Sequence, residues 1–201
     1  MNATLTLGVV QRPKIGNGVC GDAWRLWPGQ GRTLVALADG LGSGPAAAEA
    51  AEAGLAAVAA NAELPLAEIL TACHEAIRHT RGAAMGLLAI HPEPRRVQFA
   101  GVGNIEARTR REWPFHPLST AGIVGAGNYR PPRLCEAAYE PGEWLLLHSD
   151  GLRSRFDLEI ELHRAVASGL AAGGPQALAD DLAQRFGRDG DDLTLLVLQL
   201  P

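Results

Sequence analysis

The chain has 201 residues, including 24 glycines and 13 prolines, and this density of turn-forming residues excludes coiled coils and long helical bundles. Hydrophobic residues make up 47% and charged residues 20% of the sequence, which is typical of a globular protein and excludes a disordered one. The net charge of −4, without a basic stripe, argues against a nucleic-acid partner or an anionic membrane surface. We expect one domain spanning residues 1–201.

The cysteines and the N-terminus indicate the cellular compartment. Cys20, Cys73 and Cys135 are far apart and form no CxxC pair, so neither a disulfide framework nor a zinc site is predicted. The first residues lack the basic and apolar regions of a signal peptide, and no apolar run approaches the roughly 20 residues that span a bilayer. We therefore expect a cytoplasmic protein without a membrane partner.

The first half of the chain predicts three strands followed by two helices. Apolar periodicity and turn residues place the strands at residues 3–10, 23–27 and 33–38. The next segment, residues 45–62, is rich in alanine and predicts a helix with Ser43 or Gly44 at its cap and Pro45 in its first turn. A second helix is predicted at residues 65–80.

The second half predicts more strands, two helices and a final strand. The strands are predicted at residues 83–90, 96–102, 105–110, 133–139 and 144–148. Helices follow at residues 158–170 and 176–186, and the last strand is at residues 193–200. Because strands and helices are grouped and do not alternate, the sequence predicts an α+β fold with two mainly antiparallel sheets, each covered by a helix pair.

Aspartates occur where apolar strands meet turns. Asp39 and Asp150 each follow a predicted strand and precede a glycine, while Asp191 and Asp192 directly precede the last strand. Asp22 follows a glycine-rich turn. Strand ends from two sheets can converge, so these carboxylates are candidates for one cluster.

A cluster of carboxylates needs a cation, because neighbouring anions in a low dielectric otherwise take up protons. Oxygen ligands without histidine or cysteine favour Mg²⁺ or Mn²⁺ over zinc. Two such ions can activate a water for hydrolysis of a phosphate ester. The alternative is that Asp39-Gly40 and Asp150-Gly151 are ordinary tight turns, which is the commoner role of a single Asp-Gly pair.

Five motifs, in order, resemble the metal-dependent protein serine/threonine phosphatases of the PPM type, and in particular their bacterial SpoIIE/RsbU/RsbX branch. The motifs are ADGLGSG at 38–44, AGVGNI at 100–105, TAGIVG at 120–125, HSDGL at 148–152 and DDLT at 191–194. The resemblance runs from about residue 5 to residue 200. It implies a four-layer α-β-β-α sandwich.

The resemblance also implies a site that holds two Mn²⁺ or Mg²⁺ ions. Asp39 would bridge both ions, the Gly40 carbonyl would bind one of them, and Asp150 and Asp191 would complete the second. Asp22 would hold water beside the ions or bind directly. A metal-activated water would then hydrolyse phosphoserine or phosphothreonine.

Other polar residues lie in or near the motifs. We expect Asp192 to orient water and not to bind a metal, and we expect His148 to be a packed side chain. Many relatives use an early arginine to hold the substrate phosphate. Arg12 and Lys14 lie in that part of the sequence, but neither falls in a clear motif match.

The implied partners are phosphorylated STAS-domain proteins of a bacterial stressosome, of the RsbR and RsbS types, whose dephosphorylation resets stress signalling. Two alternatives stay open. One is a SpoIIE- or RsbU-like phosphatase of a free anti-anti-sigma factor, and the other is a catalytically silent module that docks STAS proteins.

Overall fold

The computed structural model describes residues 5–201, so residues 3 and 4 of the first predicted strand lie outside the described residues. The described residues form nine strands, four α-helices and one short 3₁₀ helix. In chain order these are β1 (Thr6–Arg12), β2 (Asp22–Pro28), β3 (Thr33–Gly40), α1 (Pro45–Ala60), α2 (Leu66–Ala76), β4 (Ala83–His91), β5 (Arg96–Val102), β6 (Glu106–Thr109), β7 (Cys135–Ala138), β8 (Trp144–His148), α3 (Leu158–Ala167), the 3₁₀ helix (Leu170–Gly173), α4 (Gly174–Phe186) and β9 (Leu193–Gln199).

The strands form two antiparallel sheets. One has four strands in the order β1-β9-β8-β6, and the other has five in the order β2-β3-β4-β5-β7. Helices α1 and α2 pack on the outer face of the five-stranded sheet, while α4 packs against β1 and β9. The predicted α+β class and the four-layer arrangement are confirmed.

Four layers require three hydrophobic cores, and the central strands supply residues to two of them each. On β3, Leu34 and Ala36 face α1 and α2, whereas Val35 and Leu37 face the opposite sheet. Successive side chains of β9 alternate in the same way, one facing α3 and α4 and the next facing the space between the sheets. This period of two explains why both strands are almost continuously apolar.

Three predicted helices end earlier than expected: α1 stops at Ala60, and local turns replace the last residues of α2 and α3. Helix α2 stops at Ala76, and Thr80 then closes a turn by donating its hydroxyl to the Ile77 carbonyl oxygen. Helix α3 stops at Ala167, shortly before Gly169 adopts a left-handed conformation with φ of 76°. Within residues 5–201, none of the helices is long and apolar enough to cross a membrane.

The topology brings several strand ends to one end of the sandwich. In the five-stranded sheet, the first residue of β2 pairs with Asp39 near the end of β3. In the four-stranded sheet, the end of β8 lies beside the start of β9, with His148 opposite Leu195. The predicted acidic residues therefore come from both sheets to the same region.

The contact between β1 and α4 depends on a glycine. A Cβ atom on Gly8 would lie 2.2 Å from the backbone oxygen of Pro175, which cannot move without displacing α4. We predict that Gly8→Ala lowers the free energy of unfolding by about 3 kcal/mol. Urea denaturation measures this change. The control is Gly127→Ala, because a Cβ at Gly127 meets no atom within 4 Å, and it should change the free energy of unfolding by less than about 0.5 kcal/mol. If the two substitutions changed the free energy of unfolding equally, the close contact between β1 and α4 would be contradicted.

Candidate active site

Acidic residues from both sheets line an open cleft at this end of the sandwich. Asp39 comes from the end of β3, Asp150 follows β8, and Asp191 precedes β9. The cleft has a volume of about 520 Å³. Its other lining residues are Leu41, Gly42, Ala84, Gly103, Asn104, Ala121, Gly122 and Ile123.

Asp22 lies below this cleft and is only 3% exposed. The Ser149 hydroxyl donates a hydrogen bond to Asp22 Oδ2 at 2.7 Å, and the Thr194 amide donates to the same Ser149 oxygen at 3.0 Å. Asp22 Oδ1 is buried and has no hydrogen-bond partner among residues 5–201. Burial raises the pKa of Asp22 to about 6, despite the opposing effect of the Ser149 hydrogen bond.

The charge of Asp39 is the most strongly disfavoured in the cleft. Burial, followed by the carboxylates of Asp22, Asp150 and Asp191, raises the pKa of Asp39 to about 8. Burial and the neighbouring Asp150 also raise the pKa of Asp191. At neutral pH, the unliganded site therefore favours protonation of Asp39 over a full set of carboxylates.

The donor set fits a hard divalent cation. The available ligands are carboxylate and backbone oxygens, which suit Mg²⁺ or Mn²⁺. Asp22 Oδ1 is buried without a hydrogen-bond partner among residues 5–201, and a cation would offset the burial and the repulsion that raise the pKa of Asp39. Within residues 5–201, no three histidine, cysteine or acidic side chains already stand in an arrangement that could hold an ion.

A family model described as Stage II sporulation protein E (SpoIIE) matches residues 29–201. The chain belongs to the SpoIIE family. A curated relative, the phosphoserine phosphatase RsbX of Bacillus subtilis (strain 168), is 32% identical over 146 residues, which cover 72% of this chain and 73% of RsbX.

Solved structures agree with this assignment. One match is a chain from a structure of the bacterial stressosome, described as a modular system adapted to control secondary messenger signaling. The two chains have a TM-score of 0.86 and 30% sequence identity, and the match covers 97% of this chain and 99% of that chain. A structure of RsbX in complex with magnesium has a TM-score of 0.82 and 28% identity, covering 98% of this chain and 96% of that chain. The predicted family and the enzyme class, a PPM-type serine/threonine phosphatase, are confirmed.

The two Asp-Gly pairs of this SpoIIE-family chain are sites of close backbone approach. A Cβ on Gly40 would lie 1.9 Å from the Ala47 backbone oxygen in α1, and a Cβ on Gly151 would lie 2.1 Å from the Asp192 backbone oxygen. Asp39 and Gly40 are paired with β4 and do not form a hairpin turn. The glycines therefore let α1 and β9 approach the acidic residues closely.

Asn104 is a cleft residue to which the sequence assigned no role. It follows β5, and its Nδ2 donates a hydrogen bond to Asp150 Oδ2 at 2.7 Å. The motif at residues 100–105 contains Asn104. The sequence alone does not indicate that this neutral side chain contacts Asp150, which is 46 positions away. Ser149 is likewise part of a motif, but the sequence does not indicate that its hydroxyl donates a hydrogen bond to Asp22.

Asp192 has a structural role that the sequence does not indicate. Both of its oxygens accept backbone hydrogen bonds, from Lys14 at 2.8 Å and from Gly21 at 2.9 Å. Asp192 therefore ties the loop before β2 to the start of β9. His148 is fully buried, with Nδ1 at 2.8 Å from the Ser149 carbonyl oxygen, as expected for a packed side chain.

The raised pKa of Asp39 predicts a stability cost in the absence of divalent ions. Because the pKa of Asp39 in the folded chain, about 8, exceeds the ordinary aspartate value of 3.8, the protonated form stabilises the fold at low pH. This contribution is lost as the pH rises from about 4 through about 8. Asp39→Asn should therefore raise the free energy of unfolding in EDTA by about 2 kcal/mol or more at pH 8, and by much less at pH 4.

Urea denaturation at several pH values, with chelator present, measures this difference. Asp189→Asn removes the same charge from a side chain that is 72% exposed, and it serves as the control. If Asp39→Asn and Asp189→Asn had the same effect at every pH, the cleft would not impose the charge repulsion described here.

Proposed function

We propose that residues 1–201 form a single phosphatase domain that hydrolyses phosphoserine or phosphothreonine on a STAS-domain protein of a stressosome, using two Mn²⁺ or Mg²⁺ ions. The observation that carries this proposal is the convergence of Asp22, Asp39, Asp150 and Asp191 from two sheets on one open cleft. Four converging carboxylates are costly for folding, and they are useful when a cation is to be bound.

The side chains of the cleft divide the task of holding the ions. Asp39, Asp150 and Asp191 line the cleft and would supply carboxylate oxygens, and the adjoining Gly40 would supply its backbone carbonyl. Asp22, being buried, would support the ions from below through its unpartnered oxygen. When bound, the ions supply Lewis acidity and make a water sufficiently acidic to act as a nucleophile near neutral pH.

Neighbouring residues hold these acids in position. Asn104 donates to Asp150, and its amide would keep one oxygen of that carboxylate fixed. Ser149 does the same for Asp22 and is itself held by the Thr194 amide. Such supporting hydrogen bonds reduce the freedom that ligand side chains lose when an ion binds.

The substrate is proposed from the form of the cleft and from the relatives. The cleft is open to solvent, which suits a phosphorylated side chain presented on the surface of a folded protein. RsbX, a phosphoserine phosphatase, is 32% identical to this chain, and a chain from a stressosome structure is 30% identical. These relatives favour a stressosome STAS protein over a free anti-anti-sigma factor.

Phosphate release from a phosphorylated STAS protein tests the enzymatic mechanism. We predict turnover with Mn²⁺ or Mg²⁺, none with EDTA, and a loss of about a thousandfold or more in kcat/KM for Asp39→Asn, because the ions lose a ligand that both are proposed to share. Mn²⁺ should raise the melting temperature of the native chain and raise that of Asp39→Asn much less.

Asp189→Asn is the matched control and should keep full activity, because Asp189 does not line the cleft and its one ion pair among residues 5–201 is with Arg12, at 3.6 Å. Near-normal turnover by Asp39→Asn would contradict the two-ion mechanism. Metal binding without turnover on any phosphoprotein would instead favour a silent docking module.

The substrate proposal has its own test. We predict that kcat/KM for a phosphorylated STAS protein assembled in a stressosome exceeds that for a phosphorylated free anti-anti-sigma factor by at least about tenfold, a difference of about 1.4 kcal/mol in transition-state stabilisation. Parallel assays at equal phosphoprotein concentrations measure the ratio. A reversed ratio would assign the chain to the SpoIIE- or RsbU-like role.

A further inference from the structure

We propose that Arg81 is the residue that binds the phosphate group of the substrate, an inference that rests on the proposed function. A phosphate dianion entering a cleft lined by Asp39, Asp150 and Asp191 meets several negative charges. Cations at the site can offset part of this repulsion, and a guanidinium at the rim would offset more while orienting the phosphate.

The side chain of Arg81 lies at the rim of the cleft. Its Nη1 atom is 3.0 Å from the position that a Cβ atom would occupy on Gly42, and Gly42 lines the cleft together with the three aspartates. Arg81 is exposed to solvent. The guanidinium therefore stands over the glycine loop, where an incoming ligand can reach it.

The backbone on either side of Arg81 is held firmly. Leu41 of the glycine loop donates its amide to the Gly82 carbonyl oxygen at 3.0 Å, and the Thr80 hydroxyl accepts a hydrogen bond from the Gly82 amide at 3.0 Å. Gly82 has a φ of 83°, and a Cβ there would lie 2.7 Å from the Val124 backbone oxygen. The segment that carries Arg81 is thus tied directly to the loop that follows Asp39.

The charge of Arg81 is available for a ligand. Among residues 5–201, no carboxylate lies within the 4.0 Å of its guanidinium that would define an ion pair, whereas Arg78, three positions earlier, pairs with Glu75 at 3.2 Å. An arginine without an ion-pair partner can donate two parallel hydrogen bonds to a phosphate, because its fork matches the spacing of two phosphate oxygens.

The early basic residues are poorer candidates for this role. Arg12 pairs with Asp189 at 3.6 Å, and its Nη2 lies against Gly187, 2.5 Å from the position of a Cβ on that residue. Arg12, Lys14 and Arg81 all lie outside the set of residues that line the cleft, but Arg81 is the one whose side chain approaches the lining residue Gly42. Phosphate recognition in this chain is therefore assigned to the loop between α2 and β4, and not to the N-terminal segment.

The test compares Arg81→Ala, Arg81→Lys and the control Arg78→Ala in the full chain with Mn²⁺. Steady-state hydrolysis of p-nitrophenyl phosphate gives KM and kcat, and inorganic phosphate gives a competitive inhibition constant. Arg81→Ala should raise both KM and the inhibition constant by on the order of 10- to 100-fold, since a charge-assisted bidentate contact is lost. Arg81→Lys should fall between, and Arg78→Ala should match the native chain.

Calorimetric titration of inorganic phosphate into the Mn²⁺-loaded protein separates this inference from the proposed function. Weaker phosphate binding by Arg81→Ala, with unchanged Mn²⁺ affinity and melting temperature, supports the assignment even if no turnover is found. An unchanged phosphate affinity in Arg81→Ala would overturn the assignment. A fall in kcat with an unchanged inhibition constant would also overturn it, because Arg81 would then support the structure of the loop and not bind phosphate. Failure of the native chain to bind phosphate would overturn it as well.

Discussion

Electrostatic repulsion among carboxylates is the constraint on which this structure depends. Asp22 and Asp39 meet across one sheet, and Asp150 and Asp191 reach the same region from the other. Together with burial, this convergence raises the pKa of Asp39 to about 8. The scaffold resists the repulsion with two apolar sheets packed face to face, and close contacts at Gly40 and Gly151 keep α1 and β9 beside the acids. A fold that tolerates this cost is suited to binding cations.

Much of the architecture could be predicted because its signals are local. Strands β3 and β9 are short apolar runs bounded by turn residues, and their grouping with other strands indicated two antiparallel sheets. The acids at strand ends by themselves indicate a metal site, with ordinary Asp-Gly turns as the alternative. The five motifs then identified the family, which the comparisons confirm.

Features that depend on contacts between distant residues could not be predicted. Asn104 and Asp150 are 46 positions apart, and Asp192 bonds to Lys14 and Gly21 from the opposite end of the chain. Arg81 lies in a turn whose sequence resembles any polar loop, and the pairing of Gly40 with Ala83 and of Leu41 with Gly82 brings it to the cleft. Periodicity describes which face of an element is apolar, but it contains no information on which loops meet.

The most direct test of the central claim is anomalous diffraction at the manganese absorption edge from crystals grown with Mn²⁺. Two anomalous peaks are expected in the cleft, where Asp39, Asp150 and Asp191 would supply the carboxylate ligands. Crystals of Asp39→Asn grown in the same way should lose at least one peak. An empty cleft in the native crystals, or peaks only at surface carboxylates outside it, would contradict the claim that the converging acids form a metal site.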